Sequence, residues 1–312
     1  MEIEITRPLT LDDRESRLLG MHSVYNVLTV LLYQIAQIGV LTGDLQRVSP
    51  IADALMEVRD GLADQTETLL RLGRAREIRA FVVDSLRQHI GNSLAASLRP
   101  PAVSLEFTRR LENVESIFNI VEVRAIELIE RADDPLRWEY FETGRVENNL
   151  RDVFDAIARN SLGRYRIVYD SRDAALDAYL MTFEFTTADG RGLYMPSVLQ
   201  DVVRDLASNA RKYTTPPGLI EVRLTESADA IRVDVTDNGR GIPAGEIEDM
   251  VEFGRRASNV GGREQAGGGF GLTKAYAVTR IFGGRMWVRS EIDAGSRVTI
   301  SIPHARDGLS KG

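Results

Sequence analysis

Proline spacing divides the first 135 residues of this 312-residue chain into long runs without proline. The prolines of this part stand at positions 8, 50, 100, 101 and 135. Because proline is excluded from helix interiors, the spacing predicts long helices joined by short turns. We predict two successive helical hairpins, which pack as a four-helix bundle within one chain or as a dimer of hairpins. The predicted helices lie near residues 11–41, 51–72, 75–98 and 103–132.

Residues 18–43 carry no Asp, Glu, Lys or Arg and therefore have to be tested as a membrane span. The segment includes His22, Asn26, Gln34 and Gln37, which are costly in lipid. Helices that are apolar nearly all round also occur at the centre of soluble bundles. The N-terminus also lacks the basic and apolar regions of a signal peptide. We expect a bundle helix, no membrane span and a cytoplasmic protein.

Composition excludes several classes of function. The chain has no cysteine, which rules out disulfides, thiolate metal sites and cysteine nucleophiles. Three histidines are too few for a histidine-rich metal cluster. A net charge of −7 argues against a general nucleic-acid binder.

After Pro135 the pattern changes to short strands and amphipathic helices. Residues 231–235 alternate strictly between apolar and polar side chains, as a half-buried strand does. This pattern predicts a mixed α/β domain over residues 136–312, with helices on one face of a largely antiparallel sheet. In the sequence it follows a predicted helical domain over residues 1–135. The predicted strands lie near residues 164–169, 180–185, 219–224, 231–235, 286–288 and 298–302, and the predicted helices near 144–160, 197–213 and 270–282.

Three motifs in the second domain point to a nucleotide. They are DLASNARKYT at residues 205–214, DNGRGIP at residues 237–243 and GGGFGL at residues 267–272. The carboxylate that opens the second motif can accept a hydrogen bond from an adenine amine. Glycines let backbone amides approach phosphate oxygens, above all where a helix begins. Ten of the 26 glycines fall within residues 239–271, a density that suits a flap over a ligand.

In this order the motifs resemble the ATP-binding domain of the GHKL superfamily, which includes histidine kinases, gyrase-type ATPases, Hsp90 and anti-sigma kinases. The resemblance runs from about residue 136 to residue 305 and is greatest to histidine kinases. It implies an α/β sandwich that binds ATP and magnesium.

The resemblance also implies roles for individual residues. Asn209 would hold the magnesium ion that bridges the phosphates, with Lys212 facing the phosphates and Tyr213 near the nucleotide. Asp237 would bind the adenine. The remaining positions match the turn around the base (Gly239, Gly241), the aromatic position of the lid (Phe253), the second glycine motif (Gly267, Gly269, Gly271) and the hydroxyl beside the adenine pocket (Ser296).

Asp205 departs from the histidine-kinase pattern, in which many members have asparagine four residues before the magnesium ligand. In the gyrase-like branch an acid at this place activates water. Asp205 is therefore either a base for transfer or hydrolysis, or a carboxylate on the helix surface.

His22 lies in MHSVYNVLT, which resembles the phosphoacceptor sequence of histidine kinases. Asn26 follows by four residues, so both side chains should share one helical face. In related kinases the residue at this place orients the water that removes phosphate from a response regulator. Ser23 replaces the acid that usually follows the histidine. His89 is the alternative acceptor, although Gly91 weakens the helix beside it.

The resemblance thus implies a histidine kinase that transfers the γ-phosphoryl group of ATP to His22 and then to a response-regulator receiver domain. It further implies a homodimer through the N-terminal helices, although a monomer stays open. Three alternatives remain: a degenerate kinase or anti-sigma-like binding module, a GHKL ATPase, and a histidine phosphotransfer protein with a vestigial ATP domain.

Overall fold

The computed structural model describes residues 2–60, 73–91, 101–161, 163–261 and 269–304 and contains two compact units. The helical unit is Asp12–Asp133, and the α/β unit combines Met1–Leu11 with Asp134–Gly312. The predicted helical domain included the first 11 residues, and this part of the prediction was wrong. These residues complete the edge of the sheet in the α/β unit, where Ile5 is 2% exposed.

The helical unit begins at a capping box. The Asp12 side chain accepts a hydrogen bond from the Glu15 amide at 2.7 Å, and the Glu15 carboxylate accepts one from the Asp12 amide at 3.0 Å. The first helix ends at Gly43, whose φ of 64° is left-handed and favours glycine. The helices are α1 (Asp13–Thr42), α2 (Leu45–Asp60), α3 (Ala75–Ser85) and α4 (Pro101–Ala132), and a π-helix at Leu86–Gly91 follows α3.

Two of the predicted helix boundaries differ from the structure. The second helix was predicted to start after Pro50, but α2 starts at Leu45 and contains Pro50 as its sixth residue. Burial of Val48 and Ile51 on either side of the proline outweighs the hydrogen bond that proline cannot donate. The third predicted helix changes to π-helical geometry at Leu86. Residues 61–72 and 92–98 of the predicted helices lie outside the described residues.

Side chains from all four helices share one apolar core. Helix α1 packs against α2 and α4, and α3 packs against α4. Among the described residues, α1 is also the one helix whose length and hydropathy would suit a membrane span. Its most apolar 18-residue window has a mean hydropathy of 1.6 and is 39% buried. The absence of a membrane span therefore stays a prediction.

The α/β unit is built on a seven-stranded sheet in the order β1-β8-β9-β7-β6-β4-β3. Strand β4 pairs in parallel with β3 and β6, and the other four pairings are antiparallel. Strands β2 and β5 form a separate antiparallel pair. The strands are β1 (Glu2–Glu4), β2 (Trp138–Glu142), β3 (Arg166–Val168), β4 (Ala178–Thr186), β5 (Gly192–Pro196), β6 (Gly218–Glu226), β7 (Ala230–Asp237), β8 (Arg285–Glu291) and β9 (Gly295–Pro303).

Helices of this unit bury their apolar faces in one core with the sheet. They are α5 (Thr143–Asn160), α6 (Leu199–Tyr213) and α7 (Gly271–Ile281), and a 3-10 segment (Ala244–Val251) lies between β7 and α7. All six predicted strands and all three predicted helices are present, so the predicted fold class, a helical region followed by an α/β domain, is confirmed. Strands β1, β2 and β5 were not predicted.

Candidate nucleotide-binding site

Asp237 lies at the end of β7, beside Ser296 at the start of β9. Burial raises the pKa of the Asp237 carboxyl to about 6, and the backbone N–H groups of Gly239 and Ser296 act in the opposite direction. The Gly239 amide donates to Asp237 Oδ1 at 2.8 Å. A mostly buried carboxylate has lost much of its hydration, so it favours any further donor that a ligand brings to it.

The turn after Asp237 has room only for glycine at two positions. A Cβ on Gly239 would lie 2.4 Å from the Tyr213 carbonyl oxygen. Gly241 has a φ of 68°, and a Cβ there would lie 1.9 Å from the Glu291 carbonyl oxygen. Close backbone packing on both sides therefore fixes the shape of the turn that the sequence assigned to the base.

Arg240 and Asn259 hold this turn in place. The Arg240 amide donates to the Tyr213 carbonyl at 3.1 Å, and the Arg240 side chain donates to the Asn259 carbonyl at 2.9 Å. In return, the Asn259 side-chain amide donates to the Gly241 carbonyl at 3.0 Å. Sequence reasoning missed Asn259 because neither its position nor its neighbours form a motif.

Ser290 connects the same turn to the predicted hydroxyl of Ser296. The Ser290 hydroxyl accepts from the Ile242 amide at 2.8 Å and donates to the Gly295 carbonyl at 3.0 Å. Its oxygen lies 2.8 Å from the Ser296 hydroxyl. The structure therefore brings Ser296 next to Asp237 and links its hydroxyl to the turn through a serine that the sequence did not single out.

Asn209 on α6 meets the beginning of α7. A Cβ on Gly271 would lie 2.6 Å from Asn209 Nδ2, so the two helices approach closely at this point. Lys212 is one turn further along α6, and its Nζ lies 5.2 Å from the centre of the Tyr213 ring. Residues from the first and third sequence motifs thus come together. An amide oxygen is a suitable ligand for magnesium, which keeps several waters and binds phosphates.

Asp205 belongs to a buried group of charges between α6 and α7. Its Oδ2 lies 3.2 Å from Lys274 Nζ, which also lies 3.6 Å from Asp201 Oδ2. Asp201 in turn forms an ion pair with Arg204. The Lys274 side chain is 5% exposed, although a lysine is ordinarily solvated. The Asp205 carboxylate therefore already has a cationic partner, which the sequence did not reveal.

Two aromatic rings join the segment before the second glycine motif to the motif itself. Phe253 stacks on Phe270 with ring centres 4.3 Å apart and an interplanar angle of 26°. The Thr273 hydroxyl donates to the Glu252 carbonyl at 3.0 Å. Sequence reasoning identified Phe253 but missed Phe270, its stacking partner. Gly269 has a φ of 73°, while Gly267 lies outside the described residues.

His22 and Asn26 belong to the helical unit, apart from the nucleotide residues of the α/β unit. The shared helical face that their spacing predicts is present, since Asn26 Nδ2 lies 2.9 Å from His22 Nε2. His22 is 5% exposed. The side chain of His89, the alternative acceptor, lies outside the described residues.

Comparisons with known proteins cover the same part of the chain. Residues 195–306 match the family described as Histidine kinase-, DNA gyrase B-, and HSP90-like ATPase. Adaptive-response sensory kinase SasA of Synechococcus elongatus is 24% identical over 263 residues, which are 81% of this chain and 64% of SasA. Histidine protein kinase DivJ of Caulobacter vibrioides is 30% identical over 176 residues, which are 51% of this chain and 29% of DivJ.

The chain therefore spans less than two thirds of the length of either relative. Among solved structures, a mycobacterial sensor histidine kinase, MprB, is similar with a TM-score of 0.39 and 21% identity, covering 53% of this chain and 97% of that chain. The α/β unit of this protein contains an ATP-binding domain of the GHKL superfamily, and its curated relatives are sensor histidine kinases.

Proposed function

We propose that the chain is a protein-histidine kinase that transfers the γ-phosphoryl group of ATP to its own His22 and then to an aspartate of a response-regulator receiver domain. The observation that carries this proposal is the arrangement around α6. At its end the Tyr213 carbonyl lies against Gly239 in the turn of the buried Asp237, and one turn earlier Asn209 lies against Gly271 at the start of α7. The relatives named as kinases support a phosphoryl transfer as the reaction.

In this proposal, different residues of the site contact different parts of the nucleotide. The adenine amine donates to Asp237, and the turn at Gly239 and Gly241 brings backbone close to the base. Lys212 places a mobile positive charge toward the phosphates, and the first amides of α7, from Gly271 on, point at the phosphates from a helix N-terminus. The Asn209 amide oxygen would hold Mg²⁺, which neutralises phosphate charge during transfer.

At the acceptor, His22 Nε2 lies 2.9 Å from the side-chain amide nitrogen of Asn26. In the transfer, a ring nitrogen forms a bond to the γ-phosphorus while the bond from phosphorus to the β,γ-bridging oxygen breaks and ADP leaves. The ring then releases its proton. In the second step a receiver carboxylate oxygen attacks phosphorus and the N–P bond breaks. Asn26 then orients water for dephosphorylation of the receiver.

We further propose that the chain forms a homodimer through its helical unit and that it is cytoplasmic. Val30, Tyr33 and Val40 follow one another along α1 at spacings of three and seven residues, and are 42%, 57% and 65% exposed. An apolar stripe of this spacing suits a helical partner. Gln34, only 1% exposed in the apolar core of the helical unit, supports a bundle helix over a membrane span.

One observation favours a second candidate, a nucleotide-dependent binding module without transfer. His22 is 5% exposed, and Ser23 stands where the resemblance to histidine kinases would place an acid, so the acceptor is shielded and that neighbouring acid is replaced. The GHKL ATPase has less support, because its candidate base, Asp205, is paired with Lys274.

The test is incubation with γ-labelled ATP and magnesium of wild type, His22→Ala and His89→Ala, with His304→Ala as the matched histidine control. We expect acid-labile label on every form except His22→Ala. Label missing only from His89→Ala moves the acceptor to the other helix. Free phosphate without labelled protein favours the ATPase, and bound ATP without turnover favours the binding module. A wild-type chain that binds no ATP would refute the proposal.

A further inference from the structure

The segment before α1 contacts the chain on both sides of the second glycine motif. The Arg7 guanidinium forms ion pairs with Asp249 and Glu252, more than 240 residues away in sequence. The Tyr276 hydroxyl on α7 donates to the Arg7 carbonyl at 2.8 Å. We name residues 249–253, which precede the motif, the first flank, and residues 270–276, which run from the second half of the motif into α7, the second flank. Arg7 holds both.

The two flanks contact each other, and the second flank contacts the proposed nucleotide-binding residue Asn209. Glu252 accepts the Thr273 hydroxyl through its carbonyl, and Phe253 stacks on Phe270. The next residue, Gly271, lies against Asn209. A displacement of the first flank therefore shifts the start of α7, where phosphates and the Asn209 side chain meet. Arg7 acts on the site through this chain of contacts and itself touches no proposed ligand position.

Strand pairing holds Arg7 in place independently of its ion pairs. Strand β1 pairs with β8, the Ile5 amide donates to the Met286 carbonyl at 2.9 Å, and the Ile5 side chain is buried. The Arg7 side chain is 42% exposed, and exposed ion pairs contribute little to stability. Loss of the Arg7 guanidinium should therefore release the first flank while the segment stays paired with the sheet.

We propose that Arg7 is a positioning residue of the nucleotide site, which fixes the first flank against the second so that the start of α7 is ready for the phosphates. The proposal rests on the proposed binding of ATP to this unit. Because binding couplings are reciprocal, a bound nucleotide also stabilises the docking of residues 2–7.

The experiment compares wild type, Arg7→Ala and a matched control, Arg285→Ala. The control removes the guanidinium that donates to Glu4 at 2.7 Å across β1 and β8, and leaves both flanks untouched. Two readouts are used: ATP affinity by calorimetry, and amide hydrogen exchange of the nucleotide-free protein. We expect Arg7→Ala to weaken ATP binding about fivefold, the scale of one or two exposed ion pairs. Exchange should become faster in the first flank and in the first turn of α7.

Two further kinds of variant, one that keeps the charge of residue 7 and one that exchanges the charges of residues 7 and 252, distinguish a positioning role of Arg7 from general destabilisation. Arg7→Lys should recover part of the ATP affinity, and Arg7→Glu combined with Glu252→Arg should recover more than Arg7→Glu alone. Glu252 is the cleaner partner because Asp249 also pairs with Arg255 at 3.4 Å.

When wild type binds ATP, the proposal is overturned if Arg7→Ala matches wild type in either readout. It is also overturned if Arg285→Ala produces the same losses. The two proposals fail separately. A wild-type chain without ATP affinity ends the proposed kinase, whereas the exchange rates of the nucleotide-free protein still decide whether Arg7 holds the flanks.

Discussion

At the scale of single residues, the ionisation of Asp237 should set the pH range of nucleotide binding. Burial raises the pKa of this carboxyl to about 6, and the ionised form is the stronger acceptor for the adenine amine because its hydrogen bond is charge-assisted. We expect ATP affinity to be constant above about pH 7 and to fall as the pH drops through about 6. Calorimetric titrations between pH 5 and pH 8 test this.

The Asp237→Asn variant is the control for that titration. It should bind ATP weakly at every pH, with no step near pH 6, because its side chain cannot ionise. An identical pH profile in the variant, or undiminished affinity at pH 8, would remove Asp237 from the adenine site.

The raised pKa of Asp237 affects stability in the opposite direction: stability should fall as the pH rises, whereas ATP affinity should increase. A carboxyl whose folded pKa lies above its unfolded value of 3.8 favours the folded state most when it is protonated. Its contribution is fully present below about pH 4 and is lost as the pH rises through about 6. A shift of about two units corresponds to roughly 3 kcal/mol. The acid at this position therefore serves binding at the expense of stability.

The sequence predicted residues whose role depends on local geometry and missed those that depend on distant partners. Gly239 and Gly241 follow from the turn that an acid-glycine motif requires. Lys274 does not, because on its own helix it reads as a solvated lysine, and only the packing of α6 against α7 brings it to Asp205. Arg7 meets its partners through the sheet edge, which no local pattern reveals.

At the scale of elements, the contact between α6 and α7 should be sensitive to a single methyl group. In the Gly271→Ala variant the new Cβ would lie 2.6 Å from Asn209 Nδ2, so the Asn209 side chain has to move. We expect magnesium-dependent ATP binding to fall by tenfold or more, about 1.4 kcal/mol, with a smaller effect on the melting temperature.

Gly144→Ala is the matched control for this substitution. Gly144 also lies in the first turn of a helix, but a Cβ there would have no neighbour within 4 Å. Alanine favours helix formation, so this variant should be as stable as wild type or more so, with normal ATP binding. Normal binding in Gly271→Ala would show that Asn209 does not need its present position.

Elements with strong periodicity were predicted, whereas most of the short ones were not, and the three-residue β3 is the exception. The alternating β7 and the amphipathic α6 carry their pattern over enough residues to be read from sequence. Strand β1 has three residues, and the paired β2 and β5 have five each, too few for an unambiguous period. In α2 the sequence signal of Pro50 was overridden by core packing, which is a tertiary effect.

At the scale of the whole molecule, the helical unit is an insertion between two segments of the α/β unit. Residues Met1–Leu11 precede it and Asp134 follows it, and both belong to the same compact unit. The helical unit is thus covalently joined to the nucleotide-binding unit at both of its ends. The capping box at Asp12 fixes where the first connection becomes helix.

Strand β1 also covers the edge of the seven-stranded sheet, which should affect the solubility of the protein. Without residues 2–7, β8 would become the outermost strand and present unpaired amides and carbonyls over Trp287–Arg289, the positions that β1 now covers. We expect the deletion variant to form larger, concentration-dependent species in sedimentation velocity, whereas Arg7→Ala, which retains the strand, should sediment like wild type. Equal sedimentation of the deletion variant and wild type would contradict this. Shortened forms of the protein made for crystallisation should therefore keep these few N-terminal residues, since they shield the sheet from aggregation.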